Sequence, residues 1–237
     1  MANKNLTEIV FVIDASGSMF GLANDTIGGY NSFLKSQRMN TDGVARITTI
    51  LFNNDAKTIC ECLDVREAAD LNTNTYVPGG GTALLDAVGD AIEKLQDRHD
   101  AMDEADRPAN VIFVVTTDGQ ENASTKYKKP QIAKMVQHQT NGHGWKFMFL
   151  GANVDSFEEA SSLGFTAQGT SNYRYDDVGT KAVYTSVDNL VKSVRCCADA
   201  LDNADWSLSA SYADALCDCD VVDKLSGYVD ITIEGTL

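Results

Sequence analysis

Glu8 to Ser18, EIVFVIDASGS, constrains this chain more than any other stretch. Ile9, Val10, Phe11, Val12 and Ile13 are apolar at consecutive positions, so both faces of the strand they form must be covered. That is the pattern of a central strand in a parallel sheet with helices on each side. The run ends in Asp14, Ser16 and Ser18, with Gly17 between the two hydroxyls. One carboxylate and two hydroxyls therefore gather where a buried strand opens into a loop, which is where open α/β sheets bind ligands. Hard oxygen donors of low total charge suit Mg²⁺ or Mn²⁺ better than Zn²⁺, which prefers imidazole and thiolate. The stretch predicts a divalent-cation site.

The remaining chain alternates helix and strand patterns with little slack. Ile27, Tyr30, Leu34 and Gln37 fall at helical spacing with Phe33 beside them, although Gly28-Gly29 is unfavourable inside a helix. Val44 to Phe52 reads as a strand, and after the turn residues Asn53-Asn54-Asp55 the alternating Ile59, Glu61 and Leu63 return antiparallel to it, as an edge strand. Gly79-Gly80-Gly81 then leads into Thr82 and a helix with Leu85, Val88, Ile92 and Leu95 on its buried stripe. Glycines permit a close backbone approach, and Thr82 would present its hydroxyl at the mouth of the helix. A glycine-rich loop before a helix also suggests phosphate binding, but neither Gly-Lys-Ser/Thr nor Gly-x-Gly-x-x-Gly is present.

After an exposed acidic linker, Asp100 to Pro108, a second wholly apolar strand, Val111 to Val115, ends in Thr116-Thr117-Asp118-Gly119. Adjacent strands lie about 4.8 Å apart, so Asp14 and Asp118 can face one cation from neighbouring strand ends. Without a cation, two such carboxylates repel and one takes up a proton. Further on, Pro130 opens a helix carrying Ile132, Met135, Val136 and Gln139, closed by Gly142, and Trp145 to Leu150 is a strand. Ser156 and Glu159 fit a capping box for a short helix ending at Gly164, and Phe165 to Gln168 is expected to be the last strand of the sheet. A long helix spans Asp177 to Leu201, with Val183, Val187, Leu190, Val194 and Leu201 inward. The expected organisation is one α/β domain over residues 1–201 and an extension over 202–237, where Tyr228-Val-Asp-Ile-Thr-Ile alternates like a strand.

At 237 residues and 43% apolar content, the chain can bury the core of one such domain. A net charge of −15 disfavours nucleic acid and anionic membrane as partners. The first residues lack the apolar core of a signal peptide and no stretch is long enough to span a membrane, so a soluble, cytoplasmic protein is expected. Of the six cysteines, Cys60, Cys62, Cys196, Cys197, Cys217 and Cys219, none has Cys-x-x-Cys spacing; they read as reduced, small buried apolar residues.

Asp14-x-Ser16-x-Ser18 after one apolar strand, Thr82 at the start of a later helix, and Thr117-Asp118-Gly119 after a second apolar strand resemble the von Willebrand factor A (VWA) domain with its metal-ion-dependent adhesion site, over roughly Leu6 to Leu201. The resemblance implies a doubly wound, mostly parallel sheet of about six strands, with one antiparallel edge strand and helices on both faces. It also implies that Ser16, Ser18 and Thr82 are direct or near-direct ligands of Mg²⁺ or Mn²⁺, with Asp14 and Asp118 bound directly or through water. A partner's Asp or Glu carboxylate would complete the coordination. In its compactness the chain is similar to bacterial or phage-encoded members.

The function expected is therefore a cation-dependent protein-binding or adhesion module, and not an enzyme. Asp25 reads either as a residue adjusting the site from behind or as a solvated loop carboxylate or helix cap, and Gln120 and Glu121 as bordering the ligand surface or as plain loop polarity. One alternative is a Mg²⁺-dependent phosphohydrolase with Asp14 as nucleophile, although position 16 is Ser where a second acid is wanted and His99, His138 and His143 lie outside the motif loops. Another is an assembly subunit whose metal is occupied by its own acidic tail, through Asp214, Asp218, Asp220, Asp223 or Glu234.

Overall fold

Consecutive apolar residues in two strands demand cover on both faces, and the computed structural model, which describes residues 2–152, 156–196 and Leu208, supplies it with helices in two layers. The elements in chain order are β1 (Asn3–Asp14), α1 (Ala23–Met39), β2 (Val44–Phe52), β3 (Ala56–Asp64), α2 (Leu84–Asp100), β4 (Pro108–Thr117), α3 (Lys129–His143), β5 (Lys146–Ala152), α4 (Ser156–Ser162), β6 (Thr170–Tyr173) and α5 (Asp177–Cys196). The sheet order is β3-β2-β1-β4-β5-β6, with every pair parallel except β2–β3.

Side chains alternate across the sheet, so Ile9, Phe11 and Ile13 pack with α1 and α5 while Val10 and Val12 pack with α2, α3 and α4. Phe113, Val115, Phe147 and Phe149 extend the second layer. Chain direction out of β1 leads to β2 on one side, and the chain later returns through β4 on the other. The carboxyl ends of β1 and β4 thus form a topological switch point, where adjacent loops diverge and leave a crevice.

Several boundaries differ from the sequence expectation, each for a physical reason. The last strand is Thr170–Tyr173 rather than Phe165 to Gln168. Phe165 instead packs edge-on against Phe147 and Phe149, covering the sheet face after α4. The helix from Lys129 runs through Gly142 and stops at Gly144, which adopts φ 68° and donates its N–H to Thr140 O at 3.2 Å. Ser156 and Glu159 do not form the expected reciprocal cap: Ser156 N–H donates to Asn172 Oδ1 at 3.2 Å, and Glu159 Oε2 accepts from Lys129 Nζ at 2.6 Å. Cys60 and Cys62 are free thiols but only half-buried, and Cys196 is exposed, because β3 is an edge strand and Cys196 ends α5. Leu201, Cys197, Cys217, Cys219, the acidic tail residues and the alternating segment from Tyr228 lie outside the described residues.

The two glycines of α1 act differently. A Cβ on Gly29 would meet Tyr184 Cδ2 at 2.4 Å, so this glycine lets α1 and α5 approach closely, whereas Gly28 has nothing within 4 Å. Gly29→Ala is expected to cost about 1–3 kcal/mol through overpacking, and Gly28→Ala to gain about 0.5–1 kcal/mol through helix propensity. Urea denaturation of the two variants checks both signs.

Candidate metal centre

Asp14 ends β1 fully buried, and its position is fixed from three sides. Its Oδ1 accepts the Ser16 N–H at 2.7 Å, its Oδ2 accepts the Thr117 hydroxyl at 2.6 Å, and its carbonyl accepts the buried Tyr76 hydroxyl at 2.6 Å. Thr117 and Tyr76 were not among the residues singled out from sequence for this role. The turn made by Ser16 N–H on Asp14 directs the next residues over the sheet, where Ser16 Oγ lies 3.1 Å from Ser18 Oγ. Ser18 donates its hydroxyl to Asp118 Oδ1 at 2.6 Å, joining the loop after β1 to the loop after β4.

The glycine loop closes the third side. Gly17 N–H donates to Gly80 O at 3.1 Å and Gly79 N–H to Ala15 O at 2.9 Å, so the two loops are laced by backbone bonds. Gly80 takes φ 79° and sits against Asn54, leaving no room for a side chain. The same Asn54 accepts the Gly81 N–H at 2.7 Å, and Asn53 O accepts the Ala83 N–H at 2.7 Å; the β2–β3 hairpin turn therefore supports the loop that carries Thr82. Asn122 completes the support, accepting the Thr82 N–H through Oδ1 at 2.9 Å while donating its own N–H to Thr82 O at 3.1 Å.

These constraints bring the hydroxyls from two loops to the backbone of the third. A Cβ placed on Gly119 would sit 3.2 Å from Ser18 Oγ, 3.4 Å from Thr82 Oγ1 and 4.0 Å from Ser16 Oγ. Three hydroxyl oxygens thus surround one small space beside Gly119, with Asp118 adjacent in the chain and Asp14 beneath. Burial pushes the Asp14 carboxyl up from 3.8 to about 6, against the lowering effect of its Thr117 and Ser16 hydrogen bonds, and Asp118 adds repulsion. Asp118 is also raised, by burial, with the Ser18 hydrogen bond opposing. Both carboxylates are costly to keep charged on their own, and a nearby positive charge would remove that cost.

The donor set fits a hard dication: two carboxylates and three hydroxyls, with no thiolate or imidazole. Among the described residues no group of three or more His, Cys, Asp or Glu gathers to hold a metal, so the hydroxyls carry the fit. Asp25 belongs elsewhere, in the first turn of α1, where burial, Asp177 and Asp176 raise its carboxyl. Glu121 is turned inward as well. Its Oε1 accepts the N–H groups of Ala123 and Ser124, and its Oε2 accepts the Leu85 N–H and the Ser124 hydroxyl, so it ties the β4 loop to the first turn of α2. Gln120 is exposed.

A family model for the von Willebrand factor type A domain matches residues 8–186, from within β1 into α5. The chain belongs to the VWA family. Solved structures share the fold at low identity. The proximal thread matrix protein 1 of the mussel byssus is 16% identical with a TM-score of 0.58, over 81% of this chain and 46% of that one. The manganese-loaded TRAP protein of Plasmodium vivax is 16% identical with a TM-score of 0.55, over 73% and 70% of the two chains. The vWF domain of the pilus tip protein Mfa5 from Porphyromonas gingivalis is 12% identical with a TM-score of 0.58, over 78% and 94%. A second mussel structure carries zinc in its MIDAS motif, at 17% identity and a TM-score of 0.56, over 78% of this chain and 46% of that one. This VWA chain spans about half the length of the mussel proteins it matches. No curated protein matches it by sequence. VWA domains commonly serve adhesion and protein binding. No helix among the described residues is long and apolar enough to cross a membrane.

Proposed function

We propose that this chain is a divalent-cation-dependent protein-binding module whose site takes an aspartate or glutamate of a protein partner. The convergence of Ser16, Ser18 and Thr82 hydroxyls on the space beside Gly119, between two carboxylates, carries this reading. Ser16, Ser18 and Thr82 would hold Mg²⁺ or Mn²⁺, with Asp14 and Asp118 acting directly or through water. Bound there, the cation would neutralise the two acids and keep one position open to an external carboxylate.

The chain's own residues prepare that position. Thr117 and Ser16 N–H hold Asp14 in one orientation, and Tyr175 donates its hydroxyl to Ser18 O at 2.7 Å, steadying the loop from the β6 side. Two large apolar side chains stand exposed on the same loops: Phe20, 78% accessible, after Ser18, and Val77, 63% accessible, ahead of the glycines. Exposed apolar residues beside a polar centre suit contact with a protein surface.

The hydrolase alternative is weaker on geometry. A nucleophile must be reached by its substrate, yet Asp14 is fully buried. His99 pairs with Glu8, six residues before Asp14 in the middle of β1, and His138 and His143 lie in the last two turns of α3, away from the strand ends that form the site.

The test is binding of immobilised peptides with and without a single Asp or Glu, in Mg²⁺ and in EDTA. Capture that requires the acidic residue, requires Mg²⁺ and fails with Asp14→Ala is the expected result. Capture insensitive to EDTA and to Asp14→Ala would overturn the proposal, as would Mg²⁺-dependent release of phosphate from an aryl phosphate.

A further inference from the structure

Beyond α5 the chain returns to the sheet at one described point. Leu208, twelve residues after Cys196, is fully buried in the core that α1 and α5 cover, and it donates its N–H to Gln168 O at 2.8 Å, two residues before β6 begins. From that anchor β6 runs toward the metal loops, where Tyr175 holds Ser18 O. Asn172 lies level with Thr117 through Gly151, so the path from Leu208 to the hydroxyl cluster is four or five residues along β6 and two to three strands across. With strands rising about 3.3 Å per residue and lying about 4.8 Å apart, that path spans about 20 Å.

Downstream of Leu208 come Asp214, Asp218, Asp220 and Asp223, with no lysine or arginine before Lys224. An extended chain covers about 3.3–3.6 Å per residue, so Asp214 just reaches the cluster and the other three reach it with slack. A tether whose length is comparable to the span gives its end group a local concentration on the order of millimolar. The loops of the site offer matching apolar contacts: Phe20 and Val77 are exposed there, and Leu216, Val221 and Val222 flank the aspartates.

We propose that an aspartate of segment 214–223 fills the cation's open position in its own molecule, so that an external acid binds by displacing it. This rests on the binding reading above and deepens it, adding a built-in competitor that sets how strong a partner must be.

Three versions of the full chain test it: wild type; a tail variant carrying Asp214→Asn, Asp218→Asn, Asp220→Asn and Asp223→Asn; and a charge control carrying Asp97→Asn, Asp100→Asn, Asp103→Asn and Asp106→Asn. The control acids are exposed around the end of α2, at the opposite end of the sheet from the site, and remove the same charge. Binding of a peptide with a single Asp in Mg²⁺, and of Mn²⁺ alone, is measured in about 0.5 M salt, where charges act over only a few ångströms. The tail variant should bind the peptide on the order of tenfold more tightly and hold Mn²⁺ more weakly, having lost a competitor and a ligand at once, while the control matches wild type. Unchanged affinities in the tail variant would overturn the inference and leave the binding reading standing, and so would an equal gain in the control. A gain that grows with protein concentration would assign the acid to a second copy and overturn occupancy within one molecule. Peptide binding that survives EDTA in all three proteins would remove the cation-dependent reading and this inference with it.

Discussion

With divalent cations chelated, the stability of the wild-type protein relative to Asp14→Asn is expected to fall by about 3 kcal/mol as pH rises from about 3.8 through about 6. The direction follows from burial. A folded-state carboxyl raised above its unfolded value binds its proton more tightly in the native state, so its contribution is fully present below 3.8 and lost as pH passes about 6. Comparison with Asn isolates this group, because Asn resembles the protonated acid at every pH. The comparison also cancels acids that act oppositely, such as Asp64, held down to about 2 mainly by its hydrogen bonds from Arg66. Asp118, raised by burial, adds to the same trend in both proteins. Saturating Mg²⁺ should flatten the difference, since a bound dication favours the charged acids. Urea denaturation at several pH values, in EDTA and in Mg²⁺, gives the result. Identical profiles in the two conditions would show that no cation acts on Asp14.

The second large effect concerns Asp118. Asp118→Ala should weaken Mn²⁺ binding by about a hundredfold or more, since even supporting residues of metal sites are worth 10–100-fold. Among the described residues that carboxylate accepts the Ser18 hydroxyl, so stability should change by about 1 kcal/mol. The control is Asp25→Ala, whose neighbours are Asp176 and Asp177 rather than the hydroxyl cluster. Electron paramagnetic resonance of free Mn²⁺ measures both. Equal loss in the two variants, or none in Asp118→Ala, would contradict the assignment.

Much of this was legible because the site lies where local pattern is strongest. Unbroken apolar runs can only be covered strands, and a run that stops at Asp14 or before Asp118 marks the point where the backbone leaves the core. The strand Val44–Phe52 and its antiparallel partner followed from alternation and turn chemistry in the same way. What sequence did not reveal is the support beneath the site. Thr117 reaches Asp14 across 103 residues and Tyr76 reaches its carbonyl across 62, and each reads locally as ordinary strand or loop. Asn54 looks like a turn residue and is one, but its side chain also holds the glycine loop. The last strand was misplaced because Thr170, Ser171, Asn172 and Tyr173 form a short polar sequence, while the apolar Phe165 before it serves packing. Glu121 reads from sequence as a border of the ligand surface or as plain loop polarity, whereas the β4 loop and α2 place four donors on its carboxylate.

Anomalous diffraction from crystals grown with Mn²⁺ and a short acidic peptide tests the central assignment most directly. The expected density is a single peak in contact with Ser16 Oγ, Ser18 Oγ and Thr82 Oγ1, with the peptide's carboxylate on its open side. A peak bound by other residues, or Mn²⁺ absent from the space beside Gly119 at saturating concentration, would contradict it.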